Sequence, residues 1–170
     1  NSARTYPELA DRLANEMGWV AMCFTYRGCG RSEGNFSLGG WLRDTLAAFE
    51  QLHQHPRVDR VWAAGFGTGG ALSICAAAAD QRVAGVAALA APADFDDWAS
   101  HPRRLLDHAR EQQAITDPNF PPSLDAWARE LREIRAVASA SALAPRPLLV
   151  VHGSEDESVR VFDARVTCDA

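Results

Sequence analysis

The sequence contains no lysine: its 17 basic residues are all arginine, against 22 Asp and Glu, for a formal net charge of −5. That acidic balance leaves no basic stripe for a polyanion, so nucleic acid is not an expected partner. Cysteine is sparse and scattered. Cys23, Cys29, Cys75 and Cys168 form no C-x-x-C pair and have no histidine at ligand spacing, which removes zinc-site and thioredoxin-like readings and leaves reduced thiols, as in a cytoplasmic protein. Long apolar runs are absent too: Val83–Ala93 and Leu148–Val151 fall far short of the roughly 20 residues of a membrane span, and no basic-then-apolar leader opens the chain. No metal, cofactor or membrane partner is expected. Asn1 stands where a translated protein has Met, so the expectation is that the sequence begins inside a longer one.

What is present fits one domain. At 170 residues, 47% hydrophobic and 23% charged, the chain has the composition of a soluble α/β or α+β fold. A domain of this size buries roughly 70% of the surface its unfolded chain exposes, enough for a core without metal or disulfide staples.

Hydrophobic period sets the organisation. Tyr6–Met17 places Leu9, Leu13 and Met17 on one helical face, and Gly18 ends that helix. Trp19–Tyr26 reads as a short buried strand, with Val20–Thr25 as its centre, followed by the glycine-rich polar loop Arg27–Gly34. Trp41, Leu42, Thr45, Leu46, Phe49 and Leu52 mark a second amphipathic helix ending near His55 and Pro56. Arg60–Ala64 is a strand, Gly65–Gly70 a tight turn, Ala71–Asp80 an alanine-rich helix and Val83–Ala91 a buried strand; Pro147–His152 returns to the sheet. Helix and strand alternating with continuous apolar strands predict an α/β fold: a parallel sheet with helices on both faces, and ligands at the strands' C-terminal ends.

Residues 94–146 break the alternation. Helical stretches near 105–114 and 124–136 flank the segment Thr116–Pro122, far more than the roughly dozen residues a crossover needs. The expected organisation is therefore a core over 1–93, a helical cap insertion over 94–146 and a continued core over 147–170. Ser123 is the expected N-cap of a helix burying Leu124, Trp127, Leu131 and Ile134.

The turn Gly65-Phe66-Gly67-Thr68-Gly69-Gly70 fits three uses. Gly65, Gly67 and Gly70 satisfy the dinucleotide fingerprint G-x-G-x-x-G, with Asp94 as a ribose acid. The same stretch fits a nucleophile elbow, G-x-S-x-G, with glycine at the apex. It also fits a glycine turn that only lets helix and strand pack closely.

The chain resembles the α/β-hydrolase superfamily, in the branch of serine aminopeptidase-like and dienelactone-hydrolase-like domains. Four landmarks carry the resemblance: Tyr6-Pro7-Glu8-Leu9-Ala10, Tyr26-Arg27-Gly28-Cys29-Gly30-Arg31-Ser32, the glycine turn, and Pro147-Leu148-Leu149-Val150-Val151-His152-Gly153-Ser154-Glu155-Asp156. The resemblance implies ester or amide hydrolysis of a small-molecule substrate by acyl transfer. It places Gly67 at the nucleophile position, gives Thr68 the backbone N–H of the oxyanion site, and makes Asp156 the acid that orients a histidine. A glycine has no side chain to attack a carbonyl. The resemblance also expects a His-Gly loop before the Tyr6 helix and a catalytic histidine beyond the acid, neither of which this sequence holds. The expectation is thus a hydrolase-fold chain, cut at both ends and inactive as it stands. The alternatives are a non-catalytic ligand-binding or interaction protein on the same fold, and then Rossmann-type nucleotide binding.

Weaker constellations read as structural. His53 and His55 lie at a helix end and His101 and His108 in the cap, where solvated histidines are expected, and His152 closes a strand and is expected to bond locally. Asp94, Asp96 and Asp97 read as a solvated helix start and Arg103, Arg104 and Arg110 as a polar helix face. Ser73 and Cys75 are expected to pack, Trp98, Trp127 and Phe120 to line the cap core or pocket, and Arg27 to pair with Asp44.

Overall fold

Small and β-branched residues alternating between two faces build the sheet. The computed structural model describes residues 2–170, with side chains from Thr5 onward. The chain runs α1 (Ser2–Met17), α2 (Leu38–His53), β1 (Val61–Phe66), α3 (Thr68–Ala79) and β2 (Val83–Leu89). Then come α4 (Asp96–Ser100), α5 (Pro102–Glu111), α6 (Leu124–Glu133), α7 (Ala136–Ala140), a 3-10 turn Ser141–Leu143, β3 (Leu148–Val151) and α8 (Val161–Asp169). The strands lie in the order β1-β2-β3, all parallel, with Phe66 opposite Leu89 and Leu89 opposite Val151 at their C-terminal ends.

Val61, Ala63 and Gly65 of β1 are buried while Trp62, Ala64 and Phe66 are exposed. The buried face packs under α3, where Gly70–Ala77 are all buried; a helix apolar all round belongs inside a core. Helix α2 lies alongside α3 and its start is tied down twice. The Ser37 hydroxyl accepts from Gly40 N–H at 3.1 Å and Glu130 Oε1 accepts from Gly39 N–H at 2.8 Å, satisfying two amides that have no intrahelical acceptor. On the other face the Tyr6 ring of α1 sits 5.6 Å from Phe66. Most of that face stays open: Trp62, Phe66, Leu149 and Val151 are between 43% and 59% exposed.

The stretch between β2 and β3 is helical, as its period predicts. Ser123 caps α6 by accepting from Ala126 N–H, and Trp127, Leu131 and Ile134 are buried. Phe36 joins this stretch to the core, its ring meeting Trp41, Trp98 and Trp127 edge-on at 4.7, 6.2 and 5.8 Å. No described helix is long and apolar enough to cross a membrane, and the four cysteines are unpaired.

One strand expectation fails. Val20–Thr25 joins no ladder, and Trp19, Met22 and Phe24 are 41–49% exposed. A continuous apolar run becomes a buried strand only when neighbours take its backbone groups. Here the carbonyls at the end of the run are taken by the loop instead: Thr25 C=O accepts from the Ser32 hydroxyl and Tyr26 C=O from Cys29 N–H. Other boundaries shift by a few residues: α1 starts at Ser2, β1 runs on to Phe66, α3 starts at Thr68, β2 ends at Leu89, α5 spans Pro102–Glu111 and α6 ends at Glu133.

Arg146 locks the far end of α3. Its guanidinium donates to the carbonyls of Ala77, Asp80 and Val83 at 2.8–3.1 Å, and to those of Leu143 and Ala142. A cation there also suits the negative end of the helix dipole. Arg146→Ala is expected to lower stability by about 1–3 kcal/mol through unsatisfied half-buried carbonyls, measured as a lower urea midpoint with unchanged slope.

Candidate active site

Two features meet at the C-terminal edge of the sheet: the turn after β1 and the loop after β3. In the turn, Gly67 has φ +53° and ψ −126° and donates its N–H to Leu89 C=O at 2.9 Å. Helix α3 begins at the next residue, so Thr68 N–H opens the helix without an intrahelical acceptor, at the positive end of its dipole. The glycines differ in what demands them. A Cβ on Gly65 would fall on the Gly69 carbonyl, whereas a Cβ on Gly67 would meet nothing within 4 Å. Gly65 is needed for strand and helix to cross closely; Gly67 occupies a backbone region costly for other residues, yet has room for a side chain.

The loop after β3 carries Asp156. Its Oδ1 accepts from Ser158 N–H at 2.8 Å and Val159 N–H at 2.9 Å. Those two bonds, Val159 first, hold the carboxyl below the usual aspartate range. Because β2 separates β1 from β3, the strand ends that lead into the turn and the acid loop stand about 10 Å apart, two strand spacings.

Arg27 braces the loop beneath this edge. Its backbone N–H and guanidinium all reach Asp44, the shortest bond being 2.6 Å from NH2 to Oδ1, as the sequence predicts. Burial pushes Asp44 up, but the bonds from Arg27 prevail and hold it low. Next to Arg27, Tyr26 bonds Thr45 at 3.2 Å and stacks on Trp41 at 4.8 Å; its hydroxyl lies 3.8 Å from where a Gly69 Cβ would be. A cleft of about 460 Å³, lined by Arg27, Ser32, Asn35, Arg43 and Phe120 among others, opens on this side; neither Gly67 nor Asp156 lines it.

No histidine is brought into hydrogen-bonding distance of Asp156. His53 faces Asp80 at 3.5 Å, His55 accepts from Arg57 N–H and His101 bonds Asp97 C=O at 3.0 Å. His152 bonds locally, to Val159 C=O at 2.8 Å. Among the described residues no His, Cys, Asp or Glu groups gather as metal ligands. Asp97 pairs with Arg104, Asp94 with Arg135, and Arg110 donates to the Pro118 and Phe120 carbonyls. Ser73 donates back to Gly69 C=O and Cys75 is buried. Sequence reasoning missed Glu130 and Arg146, whose partners lie at least 63 residues away for their key bonds; nothing local signals them.

A family model described as alpha/beta hydrolase fold matches residues 1–164. The chain belongs to the alpha/beta hydrolase family. No curated protein matches it. Among solved structures it is similar to an esterase of Pyrococcus furiosus, Pf2001, at 16% identity and a TM-score of 0.68, covering 98% of this chain and 61% of that one. It is also similar to Est1E from Butyrivibrio proteoclasticus, at 20% identity and TM-score 0.62 over 81% of this chain and 58% of that one. An alpha-beta serine hydrolase homologue from Coxiella burnetii is similar at 21% identity and TM-score 0.54, over 94% and 59%. This hydrolase-fold chain thus spans about three fifths of the length of these structures.

The contrast between the two glycines is measurable. Gly67→Ala is expected to cost about 1–3 kcal/mol of backbone strain, and Gly65→Ala more, since it drives a methyl onto backbone; urea unfolding of both variants compares them. Stability against acid carries a second expectation. Asp44 and Asp156 have folded-state pKa values below their unfolded values. Their contribution is present above the unfolded value of about 4 and lost as pH falls through the folded value. Thermal unfolding should therefore be level above about pH 5 and decline below about pH 4, with a shallower decline in Asp44→Asn.

Proposed function

We propose that this chain carries the site of an ester- or amide-hydrolysing lineage in which Gly67 stands at the nucleophile position, and that it does not turn over such substrates as it stands. The observation that carries the reading is the apex geometry. Gly67 sits on a sharp strand-to-helix turn at φ +53° with open space where a side chain would project, as a nucleophile elbow requires. In this reading Thr68 N–H, at the start of α3, donates to the oxyanion of an acyl substrate. Asp156 is the acid, with Oδ2 left to accept from an imidazole while two backbone amides hold Oδ1. Residues 94–146 form the cap over this edge, and the substrate is a small molecule. Two parts of the chemistry are missing from the chain: a nucleophile, and a histidine to take its proton.

A thiol tests the geometry without needing the histidine. Gly67→Cys is expected to place a sulfur at the positive end of α3, lowering its pKa below the ordinary value of about 8.5. The pH dependence of iodoacetamide alkylation at position 67, followed by peptide mass spectrometry, reads this directly. A thiol there that reacts no faster than Cys23 at neutral pH would sink the elbow reading. Gly67→Ser, lacking a base, should stay at background on p-nitrophenyl acetate. A burst from that variant, abolished by a serine-directed phosphonate, would show that one of the existing histidines serves as base. Micromolar NAD binding lost on Gly67→Val would favour the nucleotide reading instead.

A further inference from the structure

The loop between β3 and α8 holds one buried group that acyl transfer does not use. His152 follows β3 directly, and its imidazole is only 3% exposed. Its Nε2 lies 2.8 Å from the Val159 carbonyl oxygen. A carbonyl only accepts, so Nε2 carries the hydrogen and donates it. The N–H of the same Val159 donates to Asp156 Oδ1 at 2.9 Å. Val159 is thus held from both ends, its C=O by His152 and its N–H by Asp156, and Ser158 N–H adds a second bond to the same Oδ1. The remaining oxygen, Oδ2, is 3.8 Å from His152 Nε2, too far for a hydrogen bond.

The other imidazole nitrogen shows that the ring is more than filler. His152 Nδ1 is buried and has no hydrogen-bond partner. A leucine in that space would avoid the desolvation cost of an unpaired polar atom. The histidine accepts that cost, and what it holds in exchange is the Val159 carbonyl.

We propose that His152 is a positioning residue for the Asp156 carboxylate: by holding the Val159 carbonyl it restrains the residue whose own N–H, one peptide earlier, donates to Oδ1, and so leaves Oδ2 as the free oxygen. The inference rests on the reading of Asp156 as the acid, and it concerns how that acid is held rather than whether the site turns over. The other end of the loop is anchored independently, Asp163 Oδ1 accepting from Ala93 N–H at 3.0 Å. His152 therefore governs the segment from Gly153 to Val159 and not the seating of α8.

The test compares the chain with His152→Leu and His152→Gln, the second keeping an amide N–H near the place of Nε2. Two readouts are taken: the pH titration of the Asp156 carboxyl carbon by NMR, and amide hydrogen exchange at Ser158 and Val159. In His152→Leu the carboxyl should titrate higher, toward the ordinary aspartate value, and both amides should exchange roughly tenfold faster, the effect of one lost hydrogen bond. Exchange within β2 should not change. His152→Gln should restore both readouts. The proposal is overturned if His152→Leu leaves the titration and the two amides as they were, if Gln fails to restore them, or if both variants lose protection equally throughout β2 and β3. No turnover is measured, so a failed elbow at Gly67 and a failed role for His152 give different results.

Discussion

The close crossing of β1 and α3 at Gly65 governs the arrangement. Because a Cβ on Gly65 would fall on the Gly69 carbonyl, and one on Gly70 would come within 2.8 Å of Gly65 O, the strand can turn into the helix without an intervening loop. The abrupt turn forces the positive φ at Gly67 and brings the first amide of α3 to the sheet edge. It also lays α3 flat on the buried face, where its alanine surface permits the short distance. Helix, strand and candidate site share one steric constraint.

Polar groups that reach across long stretches of sequence then hold the parts together. Glu130 of α6 caps α2, and Gly39 makes room for it, since a Cβ there would stand 2.6 Å from Glu130 Oε2. Arg27 and Asp44 close the loop beneath the site, while Arg146 collects carbonyls at the opposite end of α3. The Glu130 and Arg146 bonds satisfy helix-end groups that would otherwise be left without partners. The Glu130 bond ties α6, and with it the helices between β2 and β3, to α2.

The sheet's two faces differ in a way the strands alone do not reveal. Register puts Trp62, Ala64 and Phe66 in line with Ala87, Leu89, Leu149 and Val151 on one side, an apolar surface with α1 touching it through Tyr6. A surface of that kind is unusual in a monomer exposed to water.

Much of the fold was legible in the sequence because helices and strands announce themselves by period. The helix from Trp41 to Leu52, the Ser123 cap and the parallel strands after Arg60 and before His152 all follow from local pattern, as does the glycine turn. The Val20–Thr25 run was misread because periodicity reports apolar residues and not whether a neighbouring strand exists to pair with them. The candidate site was legible only as residue types at a strand end. The sequence by itself determined that position 67 has no nucleophile, since that is a matter of covalent composition. Tertiary structure alone decided that Gly67 has room for a side chain while Gly65 has none, and that His152 grips Val159 beside Asp156, because both depend on which backbone atoms folding brings close.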